Sequence, residues 1–150
     1  MYKKILVALE NGRADDTLVP HIAELALLLG SELLLVHVAD GWAARNMAQL
    51  ELRESEELKE DREYLDRTAA ALEADGYSVD AVLAGGDPVR EIIDAAERER
   101  CDLIAMSTHG HRFLKDLLFG SVAESVRHRC TIPVLLVRGS RDSGEMKAVT

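Results

Sequence analysis

Short apolar runs of strand length alternate with longer segments of helical spacing along the chain, and that alternation constrains the fold more than any other feature. The runs are Ile5 to Leu9, Leu33 to Val38, Val79 to Ala84, Leu103 to Met106 and Val134 to Val137. After the first, Leu18, Val19, Ile22, Leu25, Ala26 and Leu29 share one helical face that Gly30 is placed to end. A long charged segment, from about Gln49 to Asp75, carries Leu58, Leu65 and Leu72 as a narrow inward stripe. A third helix is predicted to begin at Asp87-Pro88, a cap followed by the ring that suits the first helical position, and to bury Ile92, Ile93 and Ala96. A fourth follows Gly120. Alternation of mostly apolar strands with helices predicts an α/β fold: an open five-stranded parallel sheet with four helices spread over both faces. One domain is expected over residues 1–140. Residues 141–150 read as a polar C-terminal tail, and Gly41 to Ala48 as a loop or loosely helical insertion.

Composition narrows the partners. With 18 Lys plus Arg against 27 Asp plus Glu, the net charge is −9, which argues against general nucleic-acid binding and against residence on anionic membranes. One Trp, three Tyr and two Phe are too few for a base-stacking platform. Cys101 and Cys130 form no disulfide framework and no CxxC pair. After Met1-Tyr2-Lys3-Lys4 the apolar run is too short for a signal peptide, and Gly30-Ser31-Glu32 interrupts the most apolar stretch, Leu25 to Val38. The expectation is a cytoplasmic protein with reduced thiols and no membrane insertion.

In an open parallel sheet, ligands bind outside the carboxyl ends of the strands, where the winding reverses. The stretches of interest are Glu10 to Asp16, Ala39 to Trp42, Gly85 to Asp87 and Ser107 to Ser121. The last is the most informative. Ser121-x-x-Glu124 is a capping box, which sets a helix start just after Gly120, where another group can approach the backbone closely. Free amides at the positive end of a helix dipole make an anion site. Gly110 stands where the chain leaves the preceding strand, and His109, His111, Arg112 and Lys115 form a local basic group on an acidic chain. That group suits a phosphate-bearing ligand. The same residues also fit a plain turn glycine, a plain helix cap and a solvated loop, and local chemistry alone leaves both readings open.

The order Ser107-x2-Gly110-x9-Gly120-Ser121 resembles the Gly-x2-Gly-x9-Gly-Ser/Thr signature of the universal stress protein family. The neighbouring residues agree: Tyr2-Lys3-Lys4-Ile5-Leu6-Val7, Val36-His37-Val38, Gly86-Asp87-Pro88, Asp102 to Met106, Val122 to Val126, and Ile132-Pro133-Val134 to Val137. The resemblance runs from residue 2 to about 138. It implies strand order 3-2-1-4-5, an adenine nucleotide alpha hydrolase-like fold, and ATP or AMP between the first and fourth strands. By that resemblance Val38 offers backbone atoms to adenine, and Glu10 and Ser107 lie near the ribose. His109, Gly110, Gly120, Ser121 and Val122 supply phosphate contacts, mostly through amides, and Leu9 and Met106 complete the implied nucleotide-binding residues. Any divalent cation, Mg or Mn, is held through the phosphates and not by protein ligands. Two positions depart from the family pattern. Glu10 stands where Asp is usual, and Ser107 replaces the first motif glycine, where Ser is a tolerated variant whose side chain either crowds the ligand or donates a hydrogen bond.

Other chemistries find less support. There is no G-x-x-x-x-G-K-[ST], and Glu10-Asn11-Gly12-Arg13 lacks the dinucleotide fingerprint. A phosphoacceptor receiver domain needs acidic residues at the ends of the first and third strands, whereas Asp87 is better explained as a helix cap. His109 and His111, even with His128 and Cys130, lack metal-ligand spacing. His37 reads as a satisfied interior histidine and Cys101 as core, not as a nucleophile. If the last strand, Ile132 to Val137, is a sheet edge, its apolar character suggests that it meets its own copy in a two-fold dimer. The expected function is a nucleotide-responsive dimeric stress-response module that alters contacts with other, unidentified proteins. The alternatives are a nucleotide-free dimeric adaptor of the same fold and a slow ATPase or an enzyme that autophosphorylates near Ser121, although no catalytic constellation of a fast hydrolase is visible.

Overall fold

The computed structural model describes residues 1–40, 47–108 and 122–139. In chain order the elements are β1 (Lys4–Leu9), α1 (Asp15–Leu29), β2 (Glu32–Asp40), α2 (Met47–Ala74), β3 (Val79–Gly86), α3 (Pro88–Arg98), β4 (Leu103–Thr108), α4 (122–129) and β5 (Val134–Arg138). All five strands run parallel in one sheet of order β3-β2-β1-β4-β5. The winding reverses at β1, whose neighbours are β2 on one side and β4 on the other, so the crevice expected of this topology opens at the carboxyl end of β1.

Period-two alternation divides the sheet's residues between two apolar layers. Ile5, Val7 and Leu9 of β1, with Leu33 and Leu35 of β2, face Leu18, Ile22 and Ala26 of α1 and Leu65, Ala69 and Leu72 of α2. Leu6, Ala8, Leu34 and Val36 face the other way, onto Val89, Ile92, Ala95 and Ala96 of α3 and Ala123 and Val126 of α4. Cys101 lies in that second layer, where burial pushes its thiol up to about 11. It is an unreactive core residue.

Several boundaries differ from the sequence reading for identifiable reasons. β4 runs on through Ser107 and Thr108, which β5 holds in register against Val137 and Arg138. Ser107 therefore sits on a strand and not in the following loop. β5 begins at Val134, where the apolar run does, and not at Ile132, the start of the expected edge strand, because Pro133 has no N–H to give the ladder. Leu58 is 37 % exposed and Leu29 43 % exposed, so neither completes the expected stripe, and Ile93 is only partly buried. α2 starts at Met47, within the segment read as an insertion. Residues 141–150, read as a tail, lie outside the described residues.

Two of the expected caps are present. Gly30 closes α1 in the left-handed region at φ 68°, and Asp87 accepts the Arg90 amide at the start of α3, with Pro88 next to it.

At the opposite, amino end of the sheet, Asp102 accepts the amides of Lys3 at 2.9 Å and Lys4 at 3.1 Å. Partial burial opposes ionisation there, but those amides, the residue's own backbone and the N-terminal amine together outweigh it and hold the carboxyl below its usual range. The stabilisation is present above the unfolded carboxyl value of about 3.9 and is lost as pH falls through the lower folded value. Asp102→Asn is expected to cost about 1 kcal/mol at pH 7, since the site is partly solvated. The difference from wild type should close below about pH 4 in denaturant titrations. An equal cost at both pH values would contradict this account.

Candidate functional site at the carboxyl end of β1

At this end of the sheet the ladder opens. β1 pairs with β2 from Lys4↔Glu32 to Leu9↔His37, but with β4 only from Ile5↔Leu103 to Val7↔Ala105, although β4 continues to Thr108. The strands thus separate past Val7. Glu10, half-buried just beyond β1, and Ser107, 4 % exposed on β4, meet across the gap, the Ser107 hydroxyl donating to Glu10 Oε1 at 3.3 Å.

Asp15 fixes the loop that carries Glu10. It is 2 % exposed, and its carboxylate accepts the amides of Glu10 at 3.0 Å, Asn11 at 2.9 Å and Gly12 at 3.4 Å. The Tyr64 hydroxyl of α2 donates to the same group at 2.5 Å. Burial, together with that hydrogen bond, raises the phenol well above its ordinary value, so Tyr64 remains a neutral donor. Four donors on one carboxylate offset the cost of placing it in the interior.

A second clamp lies alongside. Asn11, in the left-handed region at φ 59°, donates from Nδ2 to Asp61 Oδ1 of α2 at 2.8 Å. His37 Nδ1 donates to the Leu9 carbonyl at 2.9 Å, and its Nε2 lies 3.4 Å from the same Asp61 oxygen. The residues on both sides of Glu10 are therefore held, Leu9 by β2 and Asn11 by α2. His37 is the satisfied interior histidine expected from its place on an apolar strand.

Of the residues singled out from the sequence, the structure brings Leu9, Glu10 and Ser107 together at the gap. Val38 lies one residue past the last β1–β2 pair, and Met106 is buried beside Ser107. Val122 is partly buried at the described start of α4, packed on the second layer. His109, Gly110, Gly120 and Ser121 lie outside the described residues, as do His111, Arg112 and Lys115. Glu124 of the expected capping box accepts Arg127 at 3.0 Å; its partner Ser121 is not described.

Asn11 and Asp15 fall within the Glu10 to Asp16 stretch without any role that the sequence assigns, and Asp61 and Tyr64 lie outside every stretch of interest. One signal is available: Asp61 lies one turn before Leu65 on the inward side of α2, the place where a polar residue must find a partner, and Tyr64 directly precedes Leu65. Among the described residues there is no group of three or more His, Cys, Asp or Glu side chains arranged to hold a metal ion, and no helix is long and apolar enough to cross a membrane.

The family model of the universal stress protein family matches residues 1–138. The chain belongs to that family. Universal stress protein MJ0577 of Methanocaldococcus jannaschii is 31 % identical over 158 residues, covering 92 % of this chain and 96 % of its own length. The solved MJ0577 structure superposes with a TM-score of 0.78 at 31 % identity, over 95 % of this chain and 99 % of that one. A universal stress protein from Archaeoglobus fulgidus, solved in complex with dAMP, shares the fold at a TM-score of 0.68 and 23 % identity, covering 91 % of this chain and 98 % of that chain. Another family member, solved in complex with cAMP, does so at 0.66 and 19 % identity, over 93 % of this chain and 98 % of that one. The order 3-2-1-4-5 with helices on both faces is thus the universal stress protein fold.

Proposed function

We propose that this universal stress protein binds an adenine nucleotide, ATP or AMP, in the gap between β1 and β4, and that the bound state alters its contacts with other proteins. The observation that carries the reading is the early end of the β1–β4 ladder at Val7↔Ala105, with the Glu10 carboxylate and the Ser107 hydroxyl set across the opening. The described half of the site fits a nucleoside. A carboxylate in a half-buried crevice accepts ribose hydroxyls, and Val38, on β2 just past its last pair with β1, presents backbone to a base. The phosphates fall to Gly110, Gly120 and Ser121, with His109 beside them, and any Mg or Mn is carried on the phosphates. Relatives of the same fold solved with dAMP and cAMP support a mononucleotide as ligand.

The molecule acts as a cytoplasmic homodimer in this reading. β5 forms one edge of the sheet and leaves Leu136 41 % exposed, a strand suited to pairing with a second copy. One observation favours the alternative of a nucleotide-free adaptor: the Ser107 hydroxyl already engages one Glu10 oxygen.

The purified protein decides between them. Denatured material should release adenine nucleotide detectable by absorbance and chromatography, or the emptied protein should show calorimetric heat with ATP and AMP. Sedimentation at micromolar concentration should give a dimer. Absence of both nucleotide and heat would favour the adaptor, and a monomer would remove the edge-strand pairing.

A further inference from the structure

Ladder arithmetic assigns a role to Asp15 beyond capping a loop. The Glu32 amide donates to the Lys3 carbonyl, so even-numbered residues of β2 turn their backbone groups toward β1. Carried along the Lys4↔Glu32 register, Val38 comes opposite Glu10, and its carbonyl faces the point where the Asn11 amide would be its ladder donor. That amide is instead given to Asp15 Oδ2 at 2.9 Å. On the other side, the Ile104 amide donates to the Pro133 carbonyl, so even-numbered residues of β4 face β5 and odd-numbered ones face β1. From Val7↔Ala105, the donor due to the Ser107 carbonyl is the Glu10 amide, which goes to Asp15 Oδ1 at 3.0 Å.

We propose that Asp15 is a positioning residue for the nucleoside. By intercepting both amides, it stops β1 from zipping onward along either neighbour and keeps the Val38 and Ser107 carbonyls turned toward the crevice as acceptors. The inference rests on the nucleotide reading above and deepens it. Two backbone acceptors select a ligand that brings donors: the exocyclic amino group of adenine at Val38 and ribose hydroxyls at Ser107. A 6-oxo purine presents an acceptor to Val38 and leaves that carbonyl unsatisfied, the kind of mismatch that discriminates strongly. Tyr64, donating to Asp15 from α2, holds the carboxylate in place.

The test is calorimetry with AMP and IMP on wild type and Asp15→Asn, the latter keeping the side-chain shape but only one acceptor oxygen, at temperatures where both are folded. Wild type should prefer AMP over IMP by at least about tenfold; Asp15→Asn should weaken both, because both carry the ribose, but AMP by about tenfold more than IMP, so that the preference collapses. A purely structural role would lower the melting temperature without moving the AMP-to-IMP ratio. A folded variant with unchanged affinity and ratio overturns the assignment while leaving nucleotide binding intact, whereas a wild type that binds neither compound overturns both. Should the variant not fold, through-hydrogen-bond NMR couplings in the wild type decide. The Asn11 amide should couple to the Asp15 carboxyl carbon, and coupling to the Val38 carbonyl carbon instead would refute the proposal.

Discussion

Gly120→Val is expected to weaken ATP binding about a hundredfold while leaving adenosine binding nearly unchanged. Gly120 and Ser121 immediately precede α4 in sequence, so the proposed reading gives the phosphates of a nucleotide at Glu10 and Val38 to the first amides of that helix. A charged acceptor on a backbone N–H is worth roughly 1.5–3 kcal/mol, and losing one or two such bonds gives the stated factor. Adenosine has no phosphates and in that reading would sample only the Glu10–Val38 end. The comparison therefore separates the anion contact from general damage to the domain. Equal losses for ATP and adenosine would mean that the valine disturbs the fold, and unchanged ATP affinity would remove the phosphate site from this loop.

The largest effect on stability is expected at the centre of the sheet. Leu35 is fully buried on β2, paired with Val7 on one side and Ala81 on the other, and packs in the layer beneath α1 and α2. Leu35→Ala should cost about 3 kcal/mol, because strands held on both sides cannot close over the space left. For a domain of this size the midpoint should fall by about 6–12 °C in thermal scans, with an unchanged denaturant m-value. A loss under about 1 kcal/mol would show that the helices settle onto the vacated volume.

The legible part of the fold was the part written in apolar residues. Strands such as Ile5 to Leu9 and the inner faces of α1 and α3 follow from periodicity, because hydrophobic burial recurs at the same spacing as the backbone. Strand ends are hidden where the last pairs are polar: Ser107, Thr108 and Asp40 belong to strands because neighbouring backbones hold them, and side-chain character does not report that. The same limit applied to the site. Glu10 and Ser107 were recognisable from the resemblance, and the structure joins them. Asp15, Asn11, Asp61 and Tyr64 act through hydrogen bonds to backbone amides or across segments of the chain, and only the assembled fold supplies those partners. Leu58 shows the converse: seven-residue spacing marks it for the core, yet it stays 37 % exposed, while Asp61, one turn nearer the core residue Leu65, and Tyr64, directly before it, meet the polar loop after β1.

The ties from α2 to that loop span 50 residues for Asn11–Asp61 and 49 for Asp15–Tyr64, while β1 meets β4 only after the chain has passed residue 102. A nascent polypeptide leaving the ribosome has no partial version of the binding crevice, since its braces and its far wall arrive in separate, later instalments. On the proposed reading, nucleotide capture would therefore wait until the chain has folded through β4.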